Sequence, residues 1–415
     1  MINNNDSNSS KIKFVHMADL HLGAFREKKL TDLNFKTFEL AISKVLDIKP
    51  EFVLFAGDIF NNAMPPIELV SKVVVELMKL KSAGIPLFVI GGSHDYSNSG
   101  KSFLQLLEIA CVFVDVSKPK FVDDGTVELY LHRCGRVVIS GILGKKCGLD
   151  KNIYANLQKK DILSKDDFNI FMFHTTLNDF KPDFMKMVKT EVTKSYLPTG
   201  FDYYAGGHIH TFMEGSYSFG KLSYPGPLFP NNFSELKREK PCFNLCTFDF
   251  ETRDTKIDRI FLSTYKKEHV KIEVIEKNPI DLKLMIEEKL SGIDLIGKIL
   301  LLEVSGVVDG KISDVQINKI ISKLYDNGVH IVLKNTYKLT SKDLVAIDVD
   351  STLDSKKLEE EIIMKSFDDE VDYQVLKPFI DNLLSLDLSK NEEEKNVQFE
   401  ERVSLAIKNS LEKLV

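Results

Sequence analysis

Histidines and acids recur at the ends of apolar runs in this chain. The first run ends in ADLHL, with Asp19 and His21, and the second in AGDIF, with Asp58. The third ends in GGSHDY, with Ser93, His94 and Asp95. A fourth closes on FHT, with His174, and YYAGGHIH closes on His208 and His210. The trio Ser93, His94, Asp95 cannot be a hydrolase triad by itself, because adjacent residues in extended backbone point to opposite sides and a nucleophile must touch its base. The stretch SNSGKS that follows ends like a phosphate-cradling loop, but such a loop needs glycine where Asp95 stands. His94 therefore needs partners from elsewhere in the chain.

Imidazoles and carboxylates without thiolates suit divalent ions such as manganese, iron or zinc. Two such ions sharing a carboxylate polarise a phosphoryl oxygen and provide hydroxide at neutral pH, so phosphate-ester hydrolysis is the reaction this residue set predicts. Asp19 and His21, like His208 and His210, are two residues apart, which in extended backbone sends both side chains of each pair to one side.

Strands must carry these groups. KFVHMA (13–18), FVLFAG (52–57), PLFVIGG (86–92) and FNIFMFHT (168–175) read as buried strands, alternating with helical stretches at 32–47 and 65–82. Pro65 and Pro66 fit the first turn of the second helix. Further strands are predicted at 127–132, 137–141 and 203–207 and in a hairpin over 242–262. The alternation gives an α/β domain whose site groups all sit at carboxyl ends of strands, where such folds place their sites. From 266 to 345 the pattern changes to strand, helix, strand, helix, strand, a small α+β unit. Residues 1–10 read as a disordered tail, 11–265 as the first domain and 346–415 as an acidic helical tail. In that tail Leu376, Phe379, Ile380, Leu383 and Leu384 share one helical face, and Phe399, Val403, Ile407, Leu411 and Leu414 another. Both stripes need an apolar surface, either the domains of this chain or another chain's helix.

Composition agrees with a globular protein: 415 residues, 43% hydrophobic and 28% charged. The start MINNNDSNSS is neither apolar nor basic and no run is long enough to span a bilayer, so a cytoplasmic, non-membrane protein is expected. Five scattered cysteines with no CxxC pair suggest neither a disulfide framework nor a structural zinc site. The net charge of -6 is concentrated at one end, since residues 351–415 carry 16 acidic and 9 basic side chains. The rest is near neutral, with short basic clusters (Arg26, Lys28 and Lys29; Lys145 and Lys146; Lys237, Arg238 and Lys240) able to meet phosphates or simply solvated. His16 lies inside the first strand with parity opposite to Asp19 and His21, which makes it a core histidine. His132, His269 and His330 have no motif around them.

In order and strand context, DLH, GDIF, GSHD, the isolated His174 and GHIH resemble the calcineurin-like metallophosphoesterases. DLHLG, AGDIFNN, GSHDY and YPGPLFPNNFSE (224–235) are similar to the SbcD and Mre-type nucleases that process DNA double-strand breaks in prokaryotes. The resemblance covers roughly residues 11–345. It implies a two-layered β-sandwich flanked by helices, with a small α+β cap and a helical tail. It further implies two divalent ions, manganese foremost, with Asp19, His21 and His210 on one, His174 and His208 on the other, and Asp58 bridging. His94 would stand over the scissile phosphate, stabilising charge or protonating the leaving 3′ oxygen. It implies exonuclease and endonuclease action on double- and single-stranded DNA ends, and a coiled-coil ATPase of the SbcC type held by the tail. It also implies a homodimer formed through the helices near 65–82 and 101–110.

Two positions depart from the pattern. The family usually has Asn, a ligand of the second ion, where Ser93 stands; the shorter serine reaches an ion only if the loop moves inward or a water bridges. Asn61 replaces a histidine often found three residues after the bridging Asp. Two other readings follow: a DNA-end scaffold with a weakened second metal site, or a phosphatase or cyclic-nucleotide phosphodiesterase on the same fold.

Overall fold

A computed structural model describes residues 10–97, 102–123, 125–145, 151–157, 163–187 and 192–342, together with 399, 402–405 and 407–408. The expected tail stripe at 376–384 and nearly all of the segment 1–10 lie outside the described residues. The first run is β1 (Lys11–Met17), α1 (Lys28–Ile48), β2 (Phe52–Ala56), α2 (Ile67–Ser82), β3 (Leu87–Ile90), α3 (Phe103–Ile109) and β4 (Val114–Asp115). A short pair, β5 (Lys120–Phe121) and β6 (Val127–Glu128), leads to β7 (His132–Cys134), β8 (Val137–Ile142), α4 (Lys151–Ala155) and β9 (Phe168–His174). Then follow β10 (Tyr203–Gly207), β11 (Met213–Tyr217), β12 (Gly220–Tyr224), α5 (Phe233–Arg238), β13 (Cys242–Asp249) and β14 (Asp254–Phe261). The last run is β15 (Lys267–Lys277), α6 (Pro279–Ser291), β16 (Ile299–Val308), α7 (Ile317–Asp326), β17 (Ile331–Asn335) and β18 (Leu339–Ser341).

Two six-stranded sheets form the larger part. One has the order β14-β13-β1-β2-β3-β4 and the other β11-β12-β10-β9-β8-β7. In both the central strands are parallel and an antiparallel hairpin closes one side. The sheets face each other across an apolar layer that includes Phe14, Phe52, Leu54, Phe88, Phe168, Ile170, Met172 and Phe248. On β1, Phe14 joins this layer while Val15 and Met17 turn to the opposite face and pack with α1 and α2. That alternation is why a strand buried on both faces reads as an unbroken apolar run. This is the expected two-layered sandwich flanked by helices.

The small unit has a sheet of its own, β15-β16-β17 with β18 beside β16, covered by α6 and α7 over a separate core that includes Ile272, Ile286, Leu302 and Ile320. It meets the sandwich through Leu30 and Leu33 of α1 and Leu236 of α5, packed on Ile299, Leu301 and Ile331. Lys237 reaches Glu303 at 2.7 Å across the same seam.

Element ends differ from expectation in places with clear causes. α1 starts earlier, at Lys28, because the Glu27 side chain accepts from Lys29 N and caps it. Pro66 precedes α2 rather than lying in its first turn, since its ψ of 137° is extended. The strand expected over 127–132 shrinks to Val127–Glu128. The hairpin β11–β12 escapes a reading based on apolar runs because β11 is half-exposed and alternating.

Candidate metal centre

Strands β1, β2 and β3 of one sheet and β9 and β10 of the other end on the same rim. Asp19, His21, Asp58, His94, His174, His208 and His210 are gathered there, and ligand atoms fall into three groups, each within 4.8 Å: Asp19, His21 and His210; Asp58, His174 and His208; His21, Asp58 and His94. Asp58 Oδ2 lies 3.2 Å from His174 Nε2 and 3.5 Å from His21 Nε2, so this carboxylate stands between the first two groups. His21 Nε2 and His210 Nε2 are 3.1 Å apart, and His210 Nε2 is 3.7 Å from Asp19 Oδ1.

The backbone that achieves this is not extended. Asp19, His21, Asp58 and His208 have φ of 52°, 42°, 51° and 88°. The two-residue spacing therefore does not work through strand alternation, as the sequence suggested; the chain curls in left-handed conformations just beyond β1, β2 and β10 and turns its side chains inward. Such backbone costs on the order of 1–3 kcal/mol per residue and persists where surrounding structure dictates it. Here hydrogen bonds supply the restraint. Asp19 N donates to Gly57 O and His21 N to Asp58 O, tying the β1 loop to the β2 loop. His208 N donates to both oxygens of Asp19, at 3.0 and 3.1 Å, tying the two sheets together.

Close approach needs glycine behind His174 and beside Ala56. A Cβ on Gly57, whose φ is already 90°, would lie 2.2 Å from the His174 ring, and one on Gly207 would lie 1.9 Å from Ala56 O.

Three of the five rings are held from behind. His174 Nδ1 donates to Ala56 O at 2.8 Å, His94 Nδ1 to Asn61 O at 2.9 Å and His210 Nδ1 to Glu235 Oε1 at 3.0 Å. Because carbonyls and carboxylates only accept, these three Nδ1 atoms carry a proton, which leaves each Nε2 turned to the centre and able to offer its lone pair to a cation. His174 Nε2 is buried without a hydrogen-bond partner. Lone pairs and carboxylates facing one another at these separations repel unless a proton or a cation sits among them. Ligand atoms about 2.1 Å from a shared ion lie roughly 3.0–3.4 Å apart, which matches the His21–His210 separation. The residues fit a divalent cation centre.

Protonation follows the same crowding. Burial alone would raise the Asp58 carboxyl, but His174, His21 and the His94 N–H hold it well below the usual carboxylate range. Burial would likewise depress His174, yet the charge of Asp58 outweighs it and raises the imidazole. Burial pushes His21 down to about 3, partly offset by Asp58.

Of the residues singled out in the sequence, Ser93 is half-buried and flanked by Gly92, where a Cβ would strike Asp58, and His94, whose N–H donates to Asp58 Oδ1 at 2.8 Å. Asp95 anchors the loop by accepting from Gly92, Ile59 and Phe60 N–H groups. Asn61 meets His94 through its backbone carbonyl rather than its side chain. His16 is fully buried between the sheets, with Nδ1 3.0 Å from Tyr203 Oη, as a core histidine should be. Glu235 was not anticipated. In the sequence NNFSE it reads as a helix-capping acid, and it does accept from Asn231 N while Asn232 caps α5. Only the fold brings the same carboxylate against His210.

A family model described as calcineurin-like phosphoesterase matches residues 12–212, which span every strand end of this rim. Residues 12–212 belong to the calcineurin-like phosphoesterases. Among curated relatives of the chain, the DNA double-strand break repair protein Mre11 of Methanococcus maripaludis is 31% identical over 238 residues, 55% of this chain and 60% of that protein. The Mre11 protein of Methanocaldococcus jannaschii is 28% identical over 280 residues, 64% of this chain and 70% of that protein. That of Methanopyrus kandleri is 26% identical over 249 residues, 55% of this chain and 51% of that protein. The first and third matches thus span only half to three-fifths of those relatives. The phosphoesterase family uses divalent metals, in keeping with the donor set on the rim. No helix among the described residues is long and apolar enough to cross a membrane.

Proposed function

We propose that the protein is a metal-dependent DNA nuclease, exonuclease and single-strand endonuclease, processing DNA ends in double-strand break repair. The observation that carries this reading is the pair of His/Asp groups flanking Asp58. Asp19, His21 and His210 would hold one cation, and His174 and His208 the other, with Asp58 between them. Ser93 would complete the second set, directly or through a water. Manganese is the expected ion. Bound there, two divalent cations supply electrophilic activation of a phosphodiester and a hydroxide nucleophile at neutral pH.

The chain's own residues do the rest. Ala56 O and Glu235 lock the rings of His174 and His210, so no rotamer search precedes ligand binding. His94 is held by Asn61 O and touches His21 edge to face at 4.9 Å, which leaves its Nε2 at the mouth of the centre. From there it hydrogen-bonds a phosphate oxygen or gives a proton to the leaving 3′ oxygen. The names of the relatives support DNA breaks as the substrate.

The wider arrangement belongs to the same proposal. The domains are 11–265 as the nuclease, 266–345 as a cap that shapes DNA access, and 346–415 as the segment that docks on a coiled-coil ATPase of the SbcC type in the cytoplasm. Exposed apolar residues on α2 and α3, among them Ile67, Val75, Leu106 and Ile109, support a homodimer through those helices.

The test is cleavage of single- and double-stranded DNA with added manganese, with His94→Ala as control and bis(p-nitrophenyl) phosphate in parallel. Cleavage lost in the variant is expected. DNA binding without cleavage in any divalent metal would instead mark a scaffold, and hydrolysis of small esters alone would mark a phosphatase-like enzyme.

A further inference from the structure

Beyond the metal rim, arginines and aromatic rings alternate along one path. Thr211 follows His210, and its Oγ1 donates to Glu239 Oε1 at 2.9 Å. On either side of that link lie Arg238 and Phe212. The Arg238 guanidinium stacks 4.3 Å from the centre of the Phe184 ring, and Phe184 is 56% exposed. The Arg259 guanidinium sits between two rings, 4.5 Å from Phe212 and 5.0 Å from Phe261, which is 50% exposed. Arg259 and Phe261 are two residues apart on β14, an edge strand, and so share a face. Neither guanidinium has a carboxylate partner among the described residues; Arg238 is exposed, while Arg259 donates from Nη2 to Cys242 Sγ at 2.8 Å and keeps its Nε buried.

This composition is unlike a packing motif. An exposed phenylalanine stabilises little by itself, and a guanidinium stacked on it without a counter-ion, as at the exposed Arg238, keeps N–H groups available to an anion. Single-stranded nucleic acid matches both features, because every base offers a face for stacking and every linkage offers a phosphate. We propose that Phe184 with Arg238, and Phe212 with Arg259 and Phe261, form a stacking strip that guides a single strand of nucleic acid away from the metal centre, the bases lying on the rings and the phosphates on the guanidiniums. The strip rests on the nuclease reading for its purpose, but its binding chemistry does not need metal.

The experiment measures fluorescence anisotropy of the full chain in chelator with a labelled thymidine oligonucleotide and with an abasic oligonucleotide of equal length. The intact protein binds the oligonucleotide bearing bases more tightly, and Phe184→Ala/Phe261→Ala weakens that binding about tenfold, toward the abasic value, as loss of base stacking requires. Phe184→Tyr/Phe261→Tyr, which keeps both rings, retains the preference. Hydrolysis of bis(p-nitrophenyl) phosphate with manganese, unchanged in both double variants, reports that fold and metal centre are intact. Base preference unaffected by the alanine pair, or absent from a protein that hydrolyses the ester, overturns the strip and leaves the enzyme reading standing. Base-dependent binding lost in the alanine pair, with no hydrolysis by any form, supports the strip and overturns the nuclease reading instead.

Discussion

The layer between the sheets and the rim above it are built from the same strands, yet they follow opposite rules. In the layer, Phe14, Phe52, Phe168 and Phe248 pack ring on ring, and the polar exceptions His16 and Tyr203 share a hydrogen bond through His16 Nδ1. A few residues further along the same strands, Asp19, Asp58 and His174 are just as buried, and they face one another with charges and lone pairs. The layer lowers the free energy of the folded chain, each fully buried side chain contributing about 1.5–3 kcal/mol. The rim gains less, because it buries imidazoles and carboxylates in left-handed backbone, a cost offset by the Asp58–His174 pair and further by a bound cation. Stability and function are therefore separated along each strand by only a few residues.

Four experiments test that separation, beginning with the largest effect. Asp58→Asn removes the carboxylate between the two ligand groups. It should cost about 10⁴-fold in phosphodiester hydrolysis, some 5.5 kcal/mol of barrier, with a smaller loss of stability in chelator than a cut in the layer brings. A loss in chelator as large as that of Phe168→Ala would show that the rim stabilises the fold as the layer does. Phe168→Ala cuts the layer instead. It should cost about 3–5 kcal/mol in denaturant unfolding while the folded fraction keeps its turnover.

The third experiment concerns the support behind the rim. Manganese should raise the melting temperature of the intact protein and chelation should remove the gain, because an ion that binds only the native state stabilises it by mass action. Glu235→Gln keeps the shape but weakens the hold on His210, so metal affinity should fall roughly 10- to 100-fold by calorimetric titration. An unchanged affinity would reduce Glu235 to a helix cap.

The smallest effect is a dependence on pH. Burial depresses His16 to about 3, whereas the unfolded chain protonates it near 6.5. Below pH 6.5 the unfolded state takes up the proton and the folded state does not, so stability falls as pH falls from 6.5 toward 3. At pH 5.5 the His16 share should be about 1 kcal/mol, seen as a shallower acid slope in His16→Gln than in the intact protein, both in chelator.

Much of the rim could be read from the chain directly. A carboxylate or imidazole at the end of a continuous apolar run is expensive to bury, so five such ends together predict a shared purpose, and the strand pattern predicts that parallel strands bring those ends to one side. The same reading placed His16 in the core by parity. Helix starts, the β11–β12 hairpin and the extent of β6 were less legible, because capping side chains and half-exposed edges leave weak apolar signals.

The sequence by itself determined which residue types stand at the strand ends, and therefore which chemistry the rim can support, because that depends on composition and order along single strands. Tertiary structure alone decided how those residues meet. Left-handed backbone at Asp19, His21, Asp58 and His208 turns their side chains inward, and Glu235 arrives at His210 from a helix 25 residues away. Both outcomes depend on hydrogen bonds between loops of different strands, which no local pattern encodes.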